Sequence, residues 1–239
     1  MSLTAPQIGF DRFIQLDWVA AALKVRAGLA KLDELNDLLD VAGLGLAARK
    51  KTRTVLNRLW LEPRVDLVDF ANRGAEIFKA NPSVSVAALA WGMAIATYPF
   101  FGKVAELVGR LSALQGDCSS AEVHRRMSEI YGEREGIYRM SNMVLQSQAG
   151  WGAIERVEKG KRLIRCSPIA LTENEPVAVW LVEATLRYAG RSVSIASLQS
   201  MAVLFPFVLD QSLAYMVSNS SYLELRSEGA GTQFVSLRD

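Results

Sequence analysis

A chain of 239 residues, 50% apolar and 22% charged, with only two cysteines, can bury a substantial core without disulfides or metal. Fibrous, disordered and cysteine-stapled classes are excluded. The 27 Lys and Arg against 25 Asp and Glu leave a net charge of +2, so a uniformly basic nucleic-acid coat is absent and only local patches are open to such a role.

The opening MSLTAPQIGFDR lacks a basic segment followed by an apolar core, which predicts no secretory signal and a cytoplasmic address. Phe13, Leu16, Trp18, Val19 and Leu23 recur at helical spacing, as do Leu32, Leu35, Leu38 and Leu39. A third helix is expected from near Ala47 through Val55, Leu56 and Leu59 to Pro63, and a fourth over Val65 to Lys79. Asn81, Pro82 and Ser83 are a stop and restart signal, followed by an apolar helix from Val84 and an amphipathic one over Lys103 to Leu114. Residues 1–115 therefore read as a helical bundle.

Two uncharged stretches, Asn81 to Phe101 and Ser192 to Leu209, reach the length of a membrane span. Pro82, Gly92 and Pro99 interrupt the first and Pro206 the second, so both are expected as buried core rather than as spans.

Residues 116–171 change style. Ser119 and Glu122 form a capping box, predicting a helix to Tyr131, a turn at Gly132, and a longer helix from about Glu133 with Ile137, Met140, Val144 and Leu145 facing inward. Two alternating runs, AIERVE and KRLIRC, then suggest a β-hairpin. Helix, turn, helix, hairpin is a winged-helix order. A second copy is expected over residues 172–239: Thr172 and Glu175 cap a helix ending at Gly190, short helices span about Ser194 to Val203 and Leu209 to Ser218, and YLELR and TQFVSL form another hairpin. The fold expected is mainly α, an N-terminal helical bundle followed by one or two winged-helix modules with short β-hairpins.

The second helix of such a unit enters the major groove of DNA. If Ile137, Met140 and Val144 face inward, Arg139, Asn142 and Gln146 share the outer face, with Arg134 at its start. Arg can read guanine, and Asn or Gln adenine, through paired hydrogen bonds. The hairpin adds Arg156, Lys159, Lys161, Arg162 and Arg165, suited to phosphate contact, and from Ser119 to Arg165 there are nine Lys or Arg against six Glu. Upstream, Arg49, Lys50, Lys51, Arg53 and Arg58 crowd together with no acid among them, a patch that gains from a polyanion or is simply a solvated helix start. In the second unit the corresponding helix, DQSLAYMVSNSS, has no basic residue, which leaves protein binding or plain packing.

Signals for enzymes are weak. Gly43, Gly45 and Ala48 match a dinucleotide fingerprint, with Asp66 further on, but the flanks read as helices rather than βαβ, and a phosphate loop from Gly45 has Lys where its second Gly belongs. Cys118, Cys166 and His124, the only histidine, lack metal-ligand spacing. His124, beside Arg125 and Arg126, is expected at the surface or facing phosphate. No catalytic residue, metal or cofactor is predicted.

Three segments, RKKTRTVLNRLWLEPRVDLVDF, ALAWGMAIATYPFFGKVAELV and YRMSNMVLQSQAGWGAIERVEKGKRLIRCSPIAL, give the chain an element order that resembles the BrxA family of BREX phage-defence systems. The resemblance implies an all-helical protein with helix-turn-helix and winged-helix features that binds double-stranded DNA without catalysis. It implies Arg49, Lys50, Lys51, Arg139, Arg156, Lys159 and Arg162 as DNA contacts, and other subunits of a defence complex as partners. The alternatives are a protein-binding adaptor and a dimeric winged-helix transcription regulator.

Overall fold

The protein, here as a computed structural model, is described over residues 9–171, 174–209, 212–228 and 231–238, and it is mainly helical with small sheets. Helices α1 (Leu16–Arg26), α2 (Leu32–Val41) and α3 (Leu46–Leu56) form where the predicted periodicity places them. A π-helical turn, Asn57–Leu61, then widens the end of α3. Arg58 lies within that wider turn. A 3-10 turn (Val65–Leu67) leads into α4 (Val68–Ala80).

The uncharged stretch after Asn81 is two helices. Ser85 caps α5 (Val86–Thr97) by accepting from the Ala88 N–H, and Pro99 starts α6 (Pro99–Gln115) at a position where its missing N–H costs nothing. Every residue of α5 from Ala88 onward is buried, which is why the helix is apolar all round. Among the described residues no helix is long and apolar enough to cross a membrane.

Next come β1 (Asp117–Ser119), α7 (Ser120–Tyr131), α8 (Glu135–Gly150), β2 (Ile154–Val157) and β3 (Arg162–Arg165). The capping box forms as predicted: Ser119 Oγ accepts from the Glu122 N–H while Glu122 Oε2 accepts from the Ser119 N–H. Gly132, at φ +86°, supplies the turn before α8, a conformation that side chains with a Cβ avoid. Ile137, Val144 and Leu145 are buried as expected. The predicted hairpin is β2 with β3, and β3 also takes β1 on its other edge, giving the order β1-β3-β2, all antiparallel. Three residues of strand are too few to show alternation, so β1 had no signal beyond the cap at its end.

The last third repeats this order. A short strand, β4 (Ile169–Ala170), precedes α9 (Glu175–Ala189). After α9 come β5 (Val193–Ser194), α10 (Ile195–Gln199), β6 (Phe207–Val208), α11 (Leu213–Ser218), β7 (Leu223–Glu228) and β8 (Thr232–Leu237). Strands β5, β8 and β7 form an antiparallel sheet in that order, and Ser194 caps α10 as Ser119 caps α7. Apart from β6, inserted between α10 and α11, each unit thus runs helix, strand, helix, helix, hairpin, its lone strand lying on the outer edge of its hairpin. The predicted cap at Thr172, and Asp210 and Gln211 of the predicted last helix, lie outside the described residues. The helix expected over Ser194 to Val203 stops at Gln199, giving way to a 3-10 turn (Ala202–Leu204), and the next begins at Leu213 instead of Leu209.

The segment between α10 and α11 is a clasp. Its β6 pairs in parallel with β4, Val203 O accepts from Trp91 Nε1, and Phe205 and Phe207 meet the Trp91 ring edge-on. Gly109 on α6 allows the close approach, since a Cβ there would collide with the Ala202 carbonyl. One buried cluster consequently includes Phe101, Cys118, Ile154, Val177 and Phe205, crossing every boundary between the three predicted units. A smaller cluster, including Val182, Leu198, Val217 and Val235, lies beneath the second repeat.

Candidate functional site

The start of α7, the outer face of α8 and the β2–β3 hairpin enclose a cleft of about 580 Å³. Tyr138, Asn142 and Gln146 line it from α8, each one helical turn after the last and turned away from the inward Ile137 and Val144. The hairpin contributes Arg156, Lys159 and Lys161, and α7 contributes Ser120 and His124. Two hydrogen bonds tie these walls together: Arg156 Nη2 donates to Asn142 Oδ1 at 2.7 Å, and the Ser120 N–H donates to Lys161 O at 2.8 Å. At the hairpin tip Glu158 and Lys159 both have left-handed φ, 51° and 57°, a strained bend that places Lys159 outward.

The expected direct readout is altered by these contacts. One lone pair of Asn142 Oδ1 is committed to Arg156, so Asn142 is not set up for the two-point reading of adenine predicted for it. Burial pushes the Arg156 guanidinium below its ordinary pKa, and its Nε, shielded from solvent, has no partner. His124 is only 6% exposed, which corrects its expected surface position. The Tyr138 ring covers it at 4.0 Å between centroids, neither ring nitrogen has a partner, and burial, then the charge of Arg156, push its pKa down to about 4.

The other predicted cations separate into free and committed ones. Arg134 at the N-cap of α8, Arg139 on α8, and Lys159 and Lys161 on the hairpin are exposed and have no side-chain partner among the described residues. Arg162 instead pairs with Asp117. Arg165 turns inward, donating to Ser112 Oγ and Gly109 O beneath the Phe205 ring, so it packs the module against α6 and is not a DNA contact as placed. Upstream, Arg49 pairs with Asp40 at 2.8 Å, Lys51 with Asp11 at 3.0 Å, and Arg53 donates to Asn36 and Asn57. Arg58 lies against Tyr98, and Lys50 alone of the five is exposed and without a partner among the described residues. Two of the five charges, Arg49 and Lys51, are therefore paired with carboxylates on other segments, which local spacing could not show, while Arg53 and Arg58 meet neutral groups and keep their charge. The segment after Asp11 connects the two regions, since the Ile14 N–H donates to Ser147 Oγ and Ile14 O accepts from Trp151 Nε1.

Elsewhere, Gly43 and Gly45 lie between α2 and α3, so their flanks are helical and the fingerprint lacks its strand. No group of three His, Cys, Asp or Glu could hold a metal among the described residues. In the second repeat α11 has no cation and leaves Tyr215 68% exposed. Tyr138 and Ser120 were missed from sequence, although Tyr138 stands one turn before Asn142, a spacing that could have found it. Comparison of the chain with protein-family models, curated proteins and solved structures finds no match.

Proposed function

We propose that the chain binds double-stranded DNA through its first repeat, as a winged helix in which α8 enters the major groove and the β2–β3 hairpin is the wing, with no catalysis of its own. The observation carrying this reading is that three cations, Arg156, Lys159 and Lys161, line a cleft with no carboxylate among its described lining residues, while Arg134 at the N-cap of α8 and Arg139 in its first turns are exposed and without a side-chain partner among the described residues. Such cations repel one another and are stabilised by a polyanion. The element order supports it, because a lone strand on the outer edge of the hairpin, with two helices between them, is the winged-helix arrangement. The resemblance to the BrxA family supports a place beside other subunits of a BREX-like phage-defence complex.

Fluorescence anisotropy of a labelled duplex over a range of salt concentrations tests the reading. About five neutralised phosphates give a log–log salt slope of about −4 to −5. Absence of binding at low salt, or a slope near zero, sinks it. A second reading, a protein-binding adaptor, is favoured in the second repeat by the uncharged α11 and its exposed Tyr215. Retention of a partner by the full chain but not by Tyr215→Ser would support that role.

A further inference from the structure

Donors predominate on the hairpin side of the cleft, while Ser120, Tyr138 and Gln146 can donate as well as accept. Arg156 has an unpartnered Nε–H, Asn142 has spent an oxygen lone pair on Arg156 and keeps its amide N–H groups, and Lys159 and Lys161 offer ammonium protons. Resting on the DNA-binding reading above, we infer that this cleft seats one phosphate group of the DNA backbone, with Arg156 as its half-buried anchor and His124 as its floor. The rest of the contact surface then meets phosphates only at exposed cations.

Acceptor-only chemistry is what these groups call for. A phosphate brings oxygens to every free donor and a negative charge to a guanidinium that burial has deprived of part of its water. A base edge does at most the first: guanine offers acceptors at O6 and N7, but adenine and cytosine present amino groups that would meet N–H groups head-on, and no base supplies the counter-charge. His124 is the second, independent sign of a ligand. It is 94% buried, counted from its 6% exposure, with both ring nitrogens unpartnered, whereas buried polar groups in folded proteins are mostly satisfied. A phosphate oxygen would accept from its ring N–H. His124 lines the cleft with the Tyr138 ring against it, and Tyr138 is itself 62% exposed and so able to turn without moving the backbone. The neighbouring Arg125 and Arg126 are held by Glu129 and do not compete.

Free inorganic phosphate shares this chemistry, and one experiment separates the sources. Because His124 is the single histidine, long-range ¹H–¹⁵N spectra of the untagged full chain report its ring nitrogens without ambiguity. The chain is titrated with a short random-sequence duplex and, separately, with inorganic phosphate, while anisotropy follows duplex binding. The duplex is expected to move the His124 signals over the range in which anisotropy rises. Arg156→Gln should abolish that movement and weaken duplex binding about tenfold or more, with Arg156→Lys recovering part of it. Lys159→Gln, at an exposed position where folding is not at stake, should weaken binding while the His124 signals still move at saturation. Anisotropy that rises with the His124 signals unmoved overturns the pocket and leaves DNA binding standing. A response to inorganic phosphate without duplex binding overturns the backbone as the source and, with it, the DNA reading. Silence in both arms overturns both.

Discussion

The two repeats share an order of elements and differ in what they leave on the surface. In the first, α8 (Glu135–Gly150) is long, its outer face is polar, and the hairpin beside it ends in free lysines. In the second, α11 (Leu213–Ser218) is short and uncharged, and the segment before it folds back into the core around Trp91. One topology thus serves as a presented surface in one place and as an internal clasp in another. Fold order alone does not tell which, because it is decided by the side chains that face outward.

The clasp is the part whose loss should cost most. Trp91→Ala removes a ring touching Phe101, Trp151, Phe205 and Phe207, and the expected loss is about 3–5 kcal/mol in denaturant unfolding. A loss below about 1 kcal/mol would mean that the second repeat is not held through this contact. The presented surface is broken differently. Lys159→Glu with Lys161→Glu is expected to weaken duplex binding about 50-fold at low salt with an unchanged unfolding midpoint, whereas Lys50→Glu with Lys51→Glu should cost only a few-fold, since Lys51 is already paired with Asp11. Equal effects of the two pairs would restore the upstream cluster as a main contact.

Acid should affect the first repeat selectively. His124 titrates in the folded chain at about 4, below its ordinary 6.5, so the unfolded chain binds the proton more readily between those values. The stability tied to a neutral His124 is complete above 6.5 and lost as pH falls toward about 4, and His124→Gln should flatten that part of the stability–pH curve. A curve of unchanged shape would show the ring to be solvated. The smallest difference is expected at the caps. Ser119→Ala breaks a reciprocal box and should cost about 1 kcal/mol, while Ser194→Ala, which caps a single turn-length helix, should cost about 0.5 kcal/mol, both read from thermal unfolding.

Much of the local structure was legible because it has local causes. The capping box at Ser119, the turn at Gly132 and the stop at Gly190 each depend on residues within a turn of one another, and each lies where the spacing predicts, whereas the amphipathic helix expected from Lys103 already starts at Pro99. The inward face of α8 came from period alone, and with it the outward place of Asn142 and Gln146. The strands β1, β4, β5 and β6 were not legible: two or three residues have no period, and they exist only because a distant edge accepts their hydrogen bonds.

The cations show the same division. That Arg49, Lys51, Arg53, Arg162 and Arg165 are basic and clustered is a property of the chain, but their partners, Asp40, Asp11, Asn36, Asp117 and Gly109, are supplied by other elements. Amino-acid order by itself determined the helices, their caps and a repeated succession of elements, since these need only neighbours along the backbone. Tertiary packing alone decided which charges stayed free, that His124 would be buried under Tyr138, and that the second repeat would be fastened to the bundle. The physical reason is that pairing and burial depend on distance in space, and the chain brings together groups that its order keeps far apart.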